Sequence, residues 1–194
     1  MKFDPYDYIA VIVPGSSVVL TISALKPELV TSVPASLSLG DLGLFLIVAF
    51  LIGHLLQATG NLLELLVWSV SGGMPTGWVS KDSGTIIDAS QAERLDALLL
   101  REFACTRQSL KGGRGPLREI YVCIRQFGSV ERIEKFNRNY GLMRGVAAGL
   151  FVSAILVLIF EPELWRVYMS LALLGVVGIF RMVRFGKYYA KEMY

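Results

Sequence analysis

Four apolar windows, at residues 8–25, 42–70, 142–160 and 164–180, dominate the hydrophobic pattern of the chain. A bilayer core about 30 Å thick takes roughly 20 apolar residues in helix, so each window is long enough, or nearly so, to be read as a spanning helix. The first carries no formal charge but holds Pro14, Gly15, Ser16 and Ser17 at its middle. The second is expected to span over about 42–64 and to continue as helix to about 70. The third contains one charge, Arg144, near its start. Only Glu161, Pro162 and Glu163 separate the third window from the fourth, which predicts an antiparallel hairpin with a tight turn.

Between the second and third windows the period changes. Ser90 and Glu93 read as a capping box, and Leu95, Leu98, Leu99 and Phe103 follow at helical spacing, so a helix is expected over 89–107. Gly112, Gly113, Gly115 and Pro116 are expected to break the chain. Ile120, Tyr121, Ile124 and Phe127 form a second apolar stripe over 117–127, and 130–140 is expected to run almost directly into the third span. The expected fold class is therefore all-α: a polytopic membrane protein with four transmembrane helices. An N-terminal hairpin occupies 1–70, a helical cytoplasmic segment 71–140 and a C-terminal hairpin 141–194. Three short helices enclose little core, so the middle segment is expected to pack on itself, on the membrane surface or on another subunit. The residues from Lys26 to Asp41 read as a short outer loop around Pro27 and Pro34.

Composition agrees with lipid as the surrounding medium. Of 194 residues, 54% are hydrophobic and only 18% charged, against roughly 45 to 50% and about 25% in average globular chains. Disorder and a disulfide scaffold are both excluded on the same ground. Charge then gives orientation: 71–140 holds 11 of the 19 Lys and Arg residues and the stretch from Arg181 onward holds four. With Lys2 and Arg144 on the same side, only Lys26 and Arg166 fall opposite, so both termini are expected in the cytoplasm. Lys2 is balanced by Asp4 and Asp7, so the start lacks the basic region of a secretion signal. The lipid bilayer is the first expected partner.

Candidate chemistry concentrates in the second window. His54, Gln57, Asn61 and Glu64 are spaced by three, four and three residues, which places them along one helix face among leucines. Polar groups at membrane depth rarely face lipid. The stripe reads either as a pore or proton path, with His54 as a titrating gate, or as a set of interhelical hydrogen bonds. In the third window Gly141, Gly145, Gly149 and Ser153 recur at every fourth position, a groove for close helix association. Gly175 and Gly178 in the fourth window are one receiver for that groove, and a second subunit is the other. A homo-oligomer is expected, because four spans shield a polar face poorly. Arg181, Arg184, Lys187 and Lys191, interleaved with Phe185, Tyr188, Tyr189 and Tyr194, read as a lipid-interface anchor. Four basic residues are too few for a nucleic-acid surface.

No catalytic constellation is visible. His54 is the sole histidine, and Cys105 and Cys123 lie 18 residues apart, outside metal-ligand spacings, so neither a metal nor another cofactor is expected. No Gly-x-Ser-x-Gly elbow is present. The glycines at 112, 113 and 115 follow a helix rather than a strand and lack a Walker lysine. Ser16 and Ser17 are expected to satisfy carbonyls freed by Pro14, with a broken transporter-type helix at Pro14 and Gly15 as the other possibility.

The chain also resembles a group of small bacterial multi-spanning proteins. The residues that carry the resemblance are Asp4-Pro5-Tyr6 with Tyr8, Val13-Pro14-Gly15, Gly53-His54-Leu55-Leu56-Gln57 with Gly60, Asn61 and Glu64, and Gly73-Met74-Pro75-Thr76. Asn137 to Gly141 with Arg144, and Arg184-Phe185-Gly186 with Tyr188, Tyr189 and Ala190, extend it over most of the chain. The resemblance brings no reaction and implies a bacterial inner-membrane location. In architecture alone the chain is similar to four-span membrane subunits and effectors of antiphage defence systems. The expectation is a non-enzymatic membrane protein that oligomerises, receives a cytoplasmic partner or signal through 71–140 and answers at the membrane. A small constitutive channel or transporter, with its path along the second span, is the alternative.

Overall fold

The computed structural model describes residues 5–29, 39–80, 86–111 and 114–194. Most of the loop read between 26 and 41 lies outside them, as do Lys2, Asp4, Gly112 and Gly113. All regular structure among the described residues is helical. In chain order it comprises α1 (Pro5–Leu25), α2 (Leu39–Val70), α3 (Ala89–Phe103), α4 (Arg114–Phe127), α5 (Glu131–Phe160) and α6 (Trp165–Met193), with 3-10 turns at Pro27–Leu29, Pro75–Ser80 and Arg107–Lys111. Helices α1, α2, α5 and α6 are long and apolar enough to cross a membrane.

The contacts divide the chain into two compact units, Met1–Leu66 with Arg138–Met182 and Val67–Asn137 with Val183–Tyr194. In the first, backbones approach closely where side chains are smallest. A Cβ on Gly15 would collide with the Ala49 carbonyl, and one on Gly53 with the Val11 carbonyl, so α1 and α2 touch main chain to main chain. The interior is built from small and medium residues such as Ala49, Ala147, Ala148, Ser153 and Val157. Leu56, Tyr140 and Met182 join them, but many large apolar side chains point away: Leu55, Leu65 and Phe180 are 70%, 68% and 71% exposed. A sheath of this kind is far larger than the apolar patches that water-soluble monomers tolerate.

The second unit is organised conventionally. Val79, Ile86, Leu99, Leu110, Ile120 and Ala190 form its buried core, with Trp78, Leu95, Phe103, Ile124 and Tyr194 packed against them. The short helices α3 and α4 therefore do not enclose this core alone; the turn at Pro75–Ser80 and the last turns of α6 complete it. Tyr194 donates its hydroxyl to the Thr76 carbonyl at 3.0 Å, and burial pushes its phenol well above the ordinary value. Trp78 stands edge-on to Trp68 and donates Nε1 to the Gly73 carbonyl at 3.0 Å. The turn between Trp68 and Trp78 passes through Gly72 and Gly73 at φ 79° and 97°, a backbone region that favours glycine.

Three local expectations are corrected. The capping box of α3 is Asp88 with Gln91, not Ser90 with Glu93: Asp88 Oδ1 accepts from the Gln91 N–H at 2.8 Å, and Gln91 Oε1 accepts from the Asp88 N–H at 3.0 Å. Ser90 instead donates its hydroxyl to Asp88 Oδ1 at 2.8 Å. Helix α3 stops at Phe103 rather than Arg107, because Ala104 takes a left-handed conformation at φ 47°. That reversal returns Arg107 to α3, where its Nε donates to Asp96 Oδ1 at 2.8 Å. Gly115 and Pro116 do not break the chain but lie in the first turn of α4, where proline removes no helical hydrogen bond.

Candidate functional site: a polar cluster among the long helices

Pro14 determines the site. Lacking an N–H, it leaves the Ala10 carbonyl of α1 without its i+4 donor. Ser17 does not repair this deficit, since its hydroxyl donates to the Pro14 carbonyl at 2.7 Å. The donor comes from another helix: Gln57 Nε2 on α2 reaches the Ala10 carbonyl at 3.1 Å. Pro14 is thus served by Gln57, and the expectation that Ser16 and Ser17 serve it is corrected.

Gln57 is held in turn by α5. Its Oε1 accepts from Arg144 Nη2 at 3.0 Å, while Arg144 Nη1 pairs with Glu64 Oε2. The guanidinium therefore bridges two α2 side chains seven residues apart, which the helical repeat places on one face. The two charged side chains are 20% and 18% exposed. Gly60, between Gln57 and Glu64, leaves room for the arginine stem; a Cβ there would stand 3.2 Å from Arg144 Cγ. Arg144 Nε is buried and has no acceptor among the described residues. The chain of contacts runs Ala10, Gln57, Arg144, Glu64 and ties three helices over two turns of α2.

The four-residue polar stripe is consequently divided. Gln57 and Glu64 turn inward to Arg144, whereas His54 and Asn61 are exposed. Helical geometry separates His54 from Gln57 by about 60° around the axis, enough to put them on different sides of the contact. His54 stands edge-on to Phe50, ring centroids 4.5 Å apart. Asn61 makes no hydrogen bond among the described residues.

The small-residue groove of α5 is occupied within the chain, by α1 rather than by Gly175 and Gly178. A Cβ on Gly145 would stand 3.0 Å from Pro14 Cγ, and one on Gly149 would stand 2.9 Å from Ser17 Oγ. Ser153, fully buried, donates to the Ser17 carbonyl at 3.4 Å. Gly141 faces no neighbour within 4 Å. Gly178 meets Ala147 and Gly175 meets the Phe151 ring, so α6 uses a different face of α5.

Arg181, Arg184, Lys187 and Lys191 line an exposed face of α6. Arg184 Nε donates to the Tyr188 hydroxyl at 2.8 Å, and Lys187 lies 5.6 Å over the Trp78 ring. The opposite face, with Ala190 and Met193, is buried in the second unit. That unit also holds a cavity of about 320 Å³ lined by Tyr121, Ile133, Glu134, Asn137 and Tyr189, where Tyr121 donates to Glu134 at 3.1 Å. Burial first, then the bond to Glu134, raises the Tyr121 phenol above its ordinary value. Among the described residues no three His, Cys, Asp or Glu side chains converge as a metal site would require.

Pattern reading missed Arg144, which counted only as a flanking charge. The available signal was its isolation: a lone charge inside an apolar window calls for a counter-charge on a neighbouring helix. No protein-family model matches the chain, and neither does a curated protein or a solved structure.

Proposed function

We propose that the chain is a non-enzymatic, multi-pass protein of a bacterial inner membrane that couples a partner or signal at its helical unit to a change in the membrane. One observation carries this reading: α2, α5 and α6 each contribute residues to both compact units. These shared helices give a displacement of their ends a covalent route toward the polar cluster that ties α1, α2 and α5. The bias of basic residues supports a cytoplasmic side for the helical unit and both termini. The similarity in plan to four-span defence subunits makes phage infection the first stimulus to apply.

The alternative, a constitutive channel or transporter along α2, is less well supported. Gln57 and Glu64 are engaged by Arg144 and by a backbone carbonyl, which favours locking the bundle over lining a water-filled path.

The two readings separate in proteoliposomes and in cells. Coupling predicts vesicles that hold an ion gradient with the purified protein alone, and cells whose membrane potential falls only on phage challenge or co-expression of a soluble partner. Partner-free flux abolished by His54→Ala would establish the channel instead. Turnover of labelled lipid would establish an enzyme.

A further inference from the structure

The helical unit contains a cavity that the proposed coupling does not use. It opens between α4, α5 and α6, has a volume of about 320 Å³ and is lined by Tyr121, Ile133, Glu134, Asn137 and Tyr189. That volume lies at the small end of ligand pockets. Ile133, 3% exposed, is apolar; the other four side chains carry polar ends. One bond among those ends is closed internally, from the Tyr121 hydroxyl to Glu134 Oε1 at 3.1 Å. Among the described residues Glu134 has no ion-pair partner, and neither the Tyr189 hydroxyl nor the Asn137 carboxamide makes a hydrogen bond. A phenol taken out of water ordinarily finds a partner. Burial first, and the neighbouring Tyr121 phenol next, push the Tyr189 phenol above its ordinary value, so it keeps its proton.

Basic residues stand nearby, yet none serves Glu134. Arg132, Lys135 and Arg138 surround it along α5, and Arg125 of α4 acts electrostatically on Tyr121. Arg132 pairs with Glu192 at 2.8 Å, Arg138 lies 5.8 Å over the Tyr6 ring, and Lys135 and Arg125 are exposed. The carboxylate is left to the cavity.

We infer that this cavity binds a primary ammonium group on a short alkyl or hydroxyalkyl chain. Glu134 repels anions. With the Tyr121 proton committed to Glu134, the open capacity mostly accepts: the second carboxylate oxygen, the lone pairs of both phenols and the Asn137 carbonyl. An ammonium presents three N–H donors and no acceptor, which matches this set, and the carboxylate makes its bond charge-assisted. The Asn137 amide and the Tyr189 hydroxyl remain as donors for a hydroxyl beside the ammonium. All five residues belong to the second unit, so the inference does not rest on the proposed coupling or on the membrane placement of the long helices.

The test is titration of ethanolamine into the full chain in maltoside micelles, followed by ligand-observed NMR. Binding at one site with a dissociation constant of about 1 mM or tighter is expected. Glu134→Gln keeps an acceptor for Tyr121 and removes the charge, and should weaken binding at least about tenfold. Tyr189→Phe should weaken it about 2- to 10-fold. Glu119→Gln, which alters an exposed carboxylate of α4 outside the cavity, should leave it unchanged. Tetramethylammonium, a cation without N–H donors, should bind the native chain at least about tenfold more weakly. That comparison holds whatever the variants do to folding. No saturable binding, equal affinity for tetramethylammonium, or equal loss in Glu119→Gln and Glu134→Gln overturns the site. Nanodiscs then separate the sources of the ammonium. Ethanolamine binding that persists in phosphatidylcholine discs but is competed away in phosphatidylethanolamine discs assigns the site to a lipid headgroup; equal binding in both assigns it to a free amine. If ethanolamine binds while no partner alters the membrane potential, the site stands and the coupling fails. The opposite pair of results leaves the coupling and removes the site.

Discussion

In the four-helix unit the interior is small and polar residues are its fasteners, whereas in the smaller unit leucine, isoleucine and aromatic side chains fill the interior and charges cover the outside. Leu55 and Leu99 illustrate the inversion: the first is 70% exposed on α2, the second 2% exposed on α3. Lipid offers an apolar side chain nothing to escape from, so helices in it gain by backbone proximity and by hydrogen bonds that hydrocarbon cannot replace. Water rewards the burial of Leu99 directly. On the proposed placement of the long helices in lipid, one chain obeys two rules, and each residue's effect depends on which unit holds it.

The contrast is sharpest at Arg144. Arg144→Leu leaves Glu64 without its counter-charge and Gln57 Oε1 without its donor. It should cost about 3 kcal/mol or more, read as a fall in the unfolding midpoint in detergent micelles. Combining it with Glu64→Leu should recover most of that loss; no recovery would show that the pair is not what ties α2 to α5. In the other unit Leu99→Ala removes a buried side chain and should cost about 3 kcal/mol, followed by proteolytic susceptibility of the helical unit. Leu55→Ala, the matched change on the exposed face of α2, should be near neutral, and equal costs at the two leucines would erase the distinction.

Smaller effects refine the helical unit. Ala104 holds a left-handed conformation at φ 47°, which costs an L side chain roughly 1 kcal/mol that glycine does not incur. Ala104→Gly should therefore raise the resistance of this unit to thermal proteolysis, and lower resistance would place the origin of the α3 stop elsewhere. Acid should weaken the same region. The Gln91 N–H first, and the Ser90 hydroxyl next, hold the Asp88 carboxyl below its ordinary value, and a hydrogen bond from Arg107 does so for Asp96. Both folded values are depressed, so the stabilisation is full above the ordinary carboxyl value near about 4 and is lost as pH falls through the lowered one. Circular dichroism of Asp88→Asn against the native chain checks the sign: the variant should show less acid sensitivity below about pH 4.

The apolar windows located the long helices well because length and hydropathy depend on the surrounding medium and not on partners. Boundaries were harder where tertiary contacts decide them. The capping pair read from the pattern, Ser90 with Glu93, lies two positions beyond the pair that the fold uses, Asp88 with Gln91. Helix α6 continues to Met193 because Ala190, Met193 and Tyr194 find a core in the second unit, which the sequence of α6 alone does not reveal. At the polar cluster, the shared face of Gln57 and Glu64 was legible from their seven-residue spacing. Arg144 was not, since it lies 80 positions from Glu64 and the pairing exists only once α5 packs on α2. The role of Gln57 at Pro14 was further hidden, because its second partner is a main-chain carbonyl.

The most direct test of the proposed topology is thiol labelling of intact spheroplasts with a membrane-impermeant maleimide, using chains in which serine replaces both native cysteines. Lys26→Cys should label in intact cells, and Gln126→Cys, exposed on α4, only after lysis. Labelling of Gln126→Cys in intact cells, or recovery of the chain in the soluble fraction, would contradict the placement of four helices in lipid with the helical unit inside the cell.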